Sequence, residues 1–161
     1  MRDRRERGDN RAVSVTVGYV LTLAISSLLL SGLFIAGGSF VESEREAAAR
    51  GELTVVGERV AADLMTVDRL VATAESPAAL TVDRTADLPD RVSGVGYQIT
   101  VSTAGRDGTV TLENDRVGVV VEVPFRTSAG VDVETATVDG GELRIRWDPD
   151  AGADGAVVVD S

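Results

Sequence analysis

The chain contains no Cys, no His and no Lys, and only six aromatic residues among 161. Without Cys there is no disulfide framework, no thiolate metal cluster and no cysteine nucleophile. Without His the commonest general base and the commonest transition-metal ligand are gone. Those absences exclude most hydrolase and metalloenzyme constellations, and no cofactor is expected. The length fits one domain with an appendage.

What charge there is follows an order. Residues 1–11 hold five Arg against three acids, residues 12–41 hold no charged side chain at all, and residues 42–161 hold 11 Arg against 23 acids. The chain therefore reads basic, then uncharged, then strongly acidic. A net of −12 over the last part repels a phosphate backbone, which argues against nucleic acid as a partner. Acidity of this degree without Lys fits a protein working in concentrated salt, where carboxylates keep a surface hydrated and ions screen their repulsion.

The uncharged run is long enough to cross a bilayer. Thirty helical residues extend about 45 Å, against about 30 Å of hydrocarbon. The window Val17–Ala36 holds 11 Leu, Ile, Val or Phe residues, which favour insertion by roughly 3–7 kcal/mol. Thr22, Ser26, Ser27 and Ser31 reduce that, but their hydroxyls can bond back to helix carbonyls. A cleaved secretory signal has an apolar stretch of only ~7–15 residues, too short for this run. Five Arg precede the span, and Arg45, Arg50 and Arg59 follow it within ~20 residues. The amino terminus is thus expected in the cytoplasm and the acidic bulk outside.

The junction Arg11-Ala12-Val13-Ser14-Val15-Thr16-Val17-Gly18 resembles the leader junction of archaeal type IV pilins, especially those of haloarchaea. Val13, Ser14 and Gly18 match that family's pattern and Val17 replaces a similar residue. Val15 stands where Pro is usual and Thr16 where Val is usual. The resemblance implies a leader over 1–12, cut between Ala12 and Val13 by a prepilin peptidase. It also implies a helix that assembles with other pilin-like subunits. Bacterial pilins carry a Glu at the fifth mature position, which here is Val17.

Small residues recur every four positions in the span: Gly18, Thr22 and Ser26, then Ser27 and Ser31, then Gly32 and Ala36. Membrane helices meet where small residues let backbones approach, so these seven form a candidate packing face. Gly37-Gly38 is a candidate joint. After it, Ser43-Glu44-Arg45-Glu46 fits a capping box that restarts a helix, or else the polar surface of a continuous one. Leu53, Val56, Val60, Leu64, Val67 and Val71 then fall at helical spacing, predicting an amphipathic stalk over 42–76. Gly51 and Gly57 weaken it by about 1 kcal/mol each, and Ser76-Pro77 should end it.

Beyond Pro77 the apolar period becomes two. Alternation at Tyr97–Val101, Val110–Leu112, Val119–Phe125, Val131–Val133, Leu143–Trp147 and Val157–Val159 predicts five to seven antiparallel strands over 77–161. Gly105-Arg106-Asp107-Gly108, Asn114-Asp115, Pro124 and Asp139-Gly140-Gly141 serve as separators. A Val-rich sheet of this size buries little surface alone, so the apolar stripe is expected either to pack on it or to form a coiled coil with a second copy. The expected class is α+β, a long amino-terminal helix on a small antiparallel head, as in pilins.

Candidate chemistry is sparse. Asp148–Gly155 is an acidic turn without the ordered ligand spacing of a calcium loop. Gly94-Val95-Gly96 lacks the strand–helix setting of a phosphate loop. Glu58, Asp63 and Asp68 read as solvated carboxylates on the polar helix face. The expected function is that of a noncatalytic pilin-like subunit, anchored in membrane lipid and open to assembly. The alternative is an unprocessed, signal-anchored binding or structural protein outside the cell.

Overall fold

The computed structural model describes residues 3–128, 131–152 and 155–161, with the backbone alone for 3–14. Its elements make an α+β protein. One helix, α1 (Asp3–Ala72), is followed by a 3-10 turn (Pro77–Ala79) and eight strands. The chain divides into two compact units, Met1–Glu44 and Arg45–Ser161.

In the first unit the described residues are helical throughout, including Gly37, Gly38 and Ser43. The Ser43 hydroxyl donates to the Ser39 carbonyl at 3.0 Å. Ser43 therefore caps no new helix, and of the two sequence readings the continuous helix is the one found. Ser39 in turn donates to Ile35 and Ala36 at 3.1 Å each. These back-bonds satisfy hydroxyls beside the glycine pair. The described apolar side chains of this unit, from Val15 to Val41, are exposed.

The second unit joins the last 28 residues of α1 to the strands β1 (Asp83–Asp87), β2 (Gln98–Ala104), β3 (Asp107–Asn114), β4 (Val119–Arg126), β5 (Asp132–Val133), β6 (Ala136–Asp139), β7 (Glu142–Asp148) and β8 (Ala156–Asp160). They form two four-stranded sheets, ordered β1-β7-β8-β5 and β4-β3-β2-β6. Neighbours run antiparallel except β5 and β8, which are parallel with Asp132 opposite Ala156. That pair corrects the expectation of a wholly antiparallel head, and eight strands exceed the predicted five to seven. β1 and β6 had no apolar alternation to announce them: Ala86 is the one buried residue of β1, and β6 has none. The helix also stops at Ala72, short of Ser76.

Pro124 lies inside β4, opposite Thr109, and is no separator. β4 is an edge strand, where a missing N–H costs no ladder bond if it faces outward. The core is one cluster that mixes helix and sheet side chains, with Leu53, Val60 and Leu64 among Ile99, Val110, Leu112, Ile145 and Val157. Closest approach is at Gly57. A Cβ there would lie 2.6 Å from Leu112 Cδ1 and 2.7 Å from Val123 Cγ2. The glycine that weakens the helix lets it settle onto β3 and β4.

Candidate functional site

A helix turns about 100° per residue, and that decides which of the seven small residues share a face. Gly18, Thr22, Ser26, Gly32 and Ala36 fall within an arc of about 120°, whereas Ser27 and Ser31 point to the opposite side. The four-residue spacing joined two faces that the helix separates. All seven are exposed, and nothing lies within 4 Å of a Cβ built at Gly18 or Gly32. Thr22 donates to the Gly18 carbonyl at 2.9 Å, so its hydroxyl is satisfied within the helix. Ala12 and Val13, the expected leader junction, have helical backbone, but their side chains lie outside the described residues. Met1 and Arg2 at the start of the leader also lie outside them.

The stripe Leu53, Val56, Val60, Leu64, Val67 and Val71 is buried in the chain's own core. The stripe of α1 therefore packs within its own chain. Polar contacts fix the helix there. Asp63 is 7% exposed, and its Oδ1 accepts from Nε and Nη2 of Arg84 on β1, both at 2.7 Å. Asp68 is 4% exposed and accepts from the Ser128 backbone N–H at 2.9 and 3.1 Å and from its hydroxyl at 2.8 Å. Glu52 accepts from the Ser93 N–H at 3.0 Å. The expectation of solvated carboxylates is thus wrong for Asp63 and Asp68, while Glu58 is exposed. The signal was present: Asp63 follows Val60 by three and Asp68 follows Leu64 by four, which places both at the margin of the buried stripe.

On the sheets, a polar concavity of ≈ 480 Å³ is lined by Asp90, Arg91, Tyr97, Glu113, Asp115 and Asp139, among others. The Gly94-Val95-Gly96 stretch forms part of its wall. It belongs to a tight hairpin in which Val92 and Val95 exchange hydrogen bonds of 2.8 and 3.1 Å. Ser93 and Gly94 take the positive φ values, 52° and 79°, that a two-residue turn requires. Tyr97 is buried, and its Oη has no hydrogen-bond partner among the described residues. Burial pushes its phenol up to about 12, and the Asp90 carboxylate adds to the rise. No Ser or Thr is among the described lining residues, and the hydroxyl there is that of Tyr97.

The acidic turn is tied up internally. Asp148 accepts from Arg146 at 3.1 Å and from the Asp150 N–H at 3.0 Å, while Ala153 and Asp154 lie outside the described residues. Among the described residues no three acidic side chains are placed to share a metal ion.

From residue 8 to residue 159 the sequence matches a family of unknown function, DUF7266. The chain belongs to that family. The match takes in the apolar helix and runs into the last strand, so helix and sheets together make up the family's unit. Neither a curated protein nor a solved structure matches the chain.

Proposed function

We propose that this DUF7266 chain is a noncatalytic, pilin-like surface subunit. Its amino-terminal helix anchors it as a single-pass protein in the cell membrane, with the leader in the cytoplasm and the acidic head outside. A prepilin peptidase cuts between Ala12 and Val13, and the freed helix assembles with other pilin-like subunits into a filament or secretion complex.

One observation carries this reading. The helix is long and apolar enough to cross a membrane, and none of its apolar window is buried by the rest of the chain. A surface of exposed Leu, Ile and Phe in water is unstable, whereas in lipid it is the solvated state. The Arg-rich start favours the amino terminus in the cytoplasm. The arc of Gly18, Thr22, Ser26, Gly32 and Ala36 gives the helix a side on which a second helix can approach. The acidic exterior suits an extracellular face in concentrated salt.

The test is the mass of the mature amino terminus in cells with and without prepilin peptidase. The expected result is a chain beginning at Val13 in the first and at Met1 in the second. A Met1 start in both refutes processing and leaves a permanent anchor.

A further inference from the structure

Among the described residues, the second unit carries a groove that combines an apolar wall with two arginines against one acid. It lies between the Glu52–Arg59 stretch of α1 and the connection from β1 to β2, and has a volume of ≈ 420 Å³. Its wall is apolar, from Val55, Val56, Leu88 and Val92, and Val55 is 66% exposed. Arg59 and Arg91 flank it, and neither makes an ion pair or hydrogen bond among the described residues. Glu52, the groove's one acid, is already engaged by the Ser93 N–H. What the groove offers is an apolar floor and two uncommitted guanidinium groups.

The same unit presents the complement on the outer face of β3 and β4, where Glu113 borders the same polar concavity as Arg91. Val120, on the edge strand β4, is 50% exposed. Glu113 stands directly opposite it on β3, and Glu122 follows two residues along the strand. Side chains at those positions share one face of the sheet. All three are exposed, and neither carboxylate has a partner among the described residues. An apolar knob between two carboxylates matches an apolar hole between two arginines.

We propose that the groove seats the Val120 corner of a second copy of this chain, with Arg59 and Arg91 meeting Glu113 and Glu122. Groove against groove would set Arg on Arg, and corner against corner Glu on Glu, so groove meets corner, and the contact is the heterologous one rather than the two-fold pair that would close at a dimer. Each copy then has one surface of each kind free, and the contact repeats into a ring or an open chain. The inference deepens the assembly reading above and rests on it, supplying a head-to-head contact apart from the helix face.

The absence of Cys makes the test direct. The full-length chain carrying Val55→Cys and Val120→Cys is oxidised in membranes and run without reductant. A ladder of multimers is expected, whereas mixing the two single variants should give a dimer and nothing larger. Adding Arg59→Glu with Arg91→Glu, or Glu113→Arg with Glu122→Arg, should reduce the ladder at least ~10-fold, a change of about 1.4 kcal/mol. Mixing those two reversed chains should restore it, because each then offers the other a matched surface. All four positions are exposed, so circular dichroism should be unchanged. No ladder beyond the single-variant products, or a ladder indifferent to charge reversal, overturns the proposal. The amino-terminal mass is measured on the same samples: an uncut chain that still ladders sinks the processing reading alone, and a cut chain without a ladder sinks this contact alone.

Discussion

Asp68, in the penultimate turn of α1, holds Ser128 after β4 through both of its carboxylate oxygens, with hydrogen bonds of 2.8, 2.9 and 3.1 Å. The two residues are 60 positions apart, and the carboxylate is almost wholly buried. A buried acceptor satisfied by a backbone N–H and a hydroxyl is a fixed joint, because removing either side leaves the other without water. It ties the end of the helix to the residues that follow the edge strand β4, which carries Val120 and Glu122.

Asp68→Ala should therefore destabilise the chain by about 2–4 kcal/mol, since it orphans the Ser128 N–H and removes charge-assisted bonds. Ser128→Ala, which removes the hydroxyl alone, should cost about 1 kcal/mol. Denaturant midpoints of the detergent-solubilised chain measure both. Equal losses for the two variants would show that the backbone bonds contribute nothing.

Two helical glycines should respond oppositely to the same change. Nothing lies within 4 Å of a Cβ at Gly51, whereas one at Gly57 meets Leu112 and Val123 at 2.6 and 2.7 Å. Gly51→Ala should stabilise by about 0.5–1 kcal/mol through helix propensity. At Gly57 the same gain is outweighed by overpacking of about 1–3 kcal/mol, because Val123 is β-branched and has little room to turn. The expected net is a loss of about 1 kcal/mol. A stabilised Gly57→Ala chain would mean that the helix does not rest on β3 and β4.

The stripe from Leu53 to Val71 was legible because helical spacing of apolar residues has one economical explanation, a buried face. β2, β3, β4, β7 and β8 were legible because their Val, Ile and Leu alternate. What stayed hidden has physical reasons. β1 and β6 bury only Ala86 between them and meet their neighbours through polar pairs, Asp83 with Arg144 and Thr137 with Thr100, so no apolar alternation records them. The two-residue β5 was marked only by Val131 and Val133, both buried and two apart. The partners of the buried Asp63 and Asp68 leave no local trace, because each, Arg84 or Ser128, is far away in sequence. The small residues recur every four positions, but a turn of about 100° per residue sets Ser27 and Ser31 on the side away from Gly18 and Thr22. The apolar floor around Val55 showed no pattern, since half of it comes from the connection between two strands.

Tyr97 should confer an alkaline weakness on the fold. Its phenol titrates at about 12 in the folded chain, against 10.0 ordinarily. A group whose folded pKa is raised contributes stability in full below the unfolded value and loses it as the pH climbs to the folded one. Stability should thus fall between pH 10 and about 12. Tyr97→Phe should remove that decline and, because the Oη has no hydrogen bond to lose, change stability at pH 7 by less than about 1 kcal/mol. Denaturant titrations at neutral and alkaline pH, run on both proteins, decide it. An identical alkaline decline in the Phe variant would assign the weakness to another group.

The apolar part of α1, long enough to cross a membrane, offers the sharpest contrast, since its two small-residue faces make opposite predictions. If lipid-embedded helices associate through the arc containing Gly18 and Thr22, then Gly18→Leu or Thr22→Leu places a branched side chain where backbones must approach. Close packing is then lost. Ser27→Leu and Ser31→Leu alter the opposite side and make the span more apolar, which favours insertion and leaves that approach open. Energy transfer between labelled chains in vesicles should fall several-fold for the first pair and stay unchanged for the second. Helix content should be the same in all four, because each position is exposed on a continuous helix. A loss at Ser27 and Ser31 instead would move the interface to the other side of the helix. Equal transfer in all four would leave the head as the remaining site of self-association.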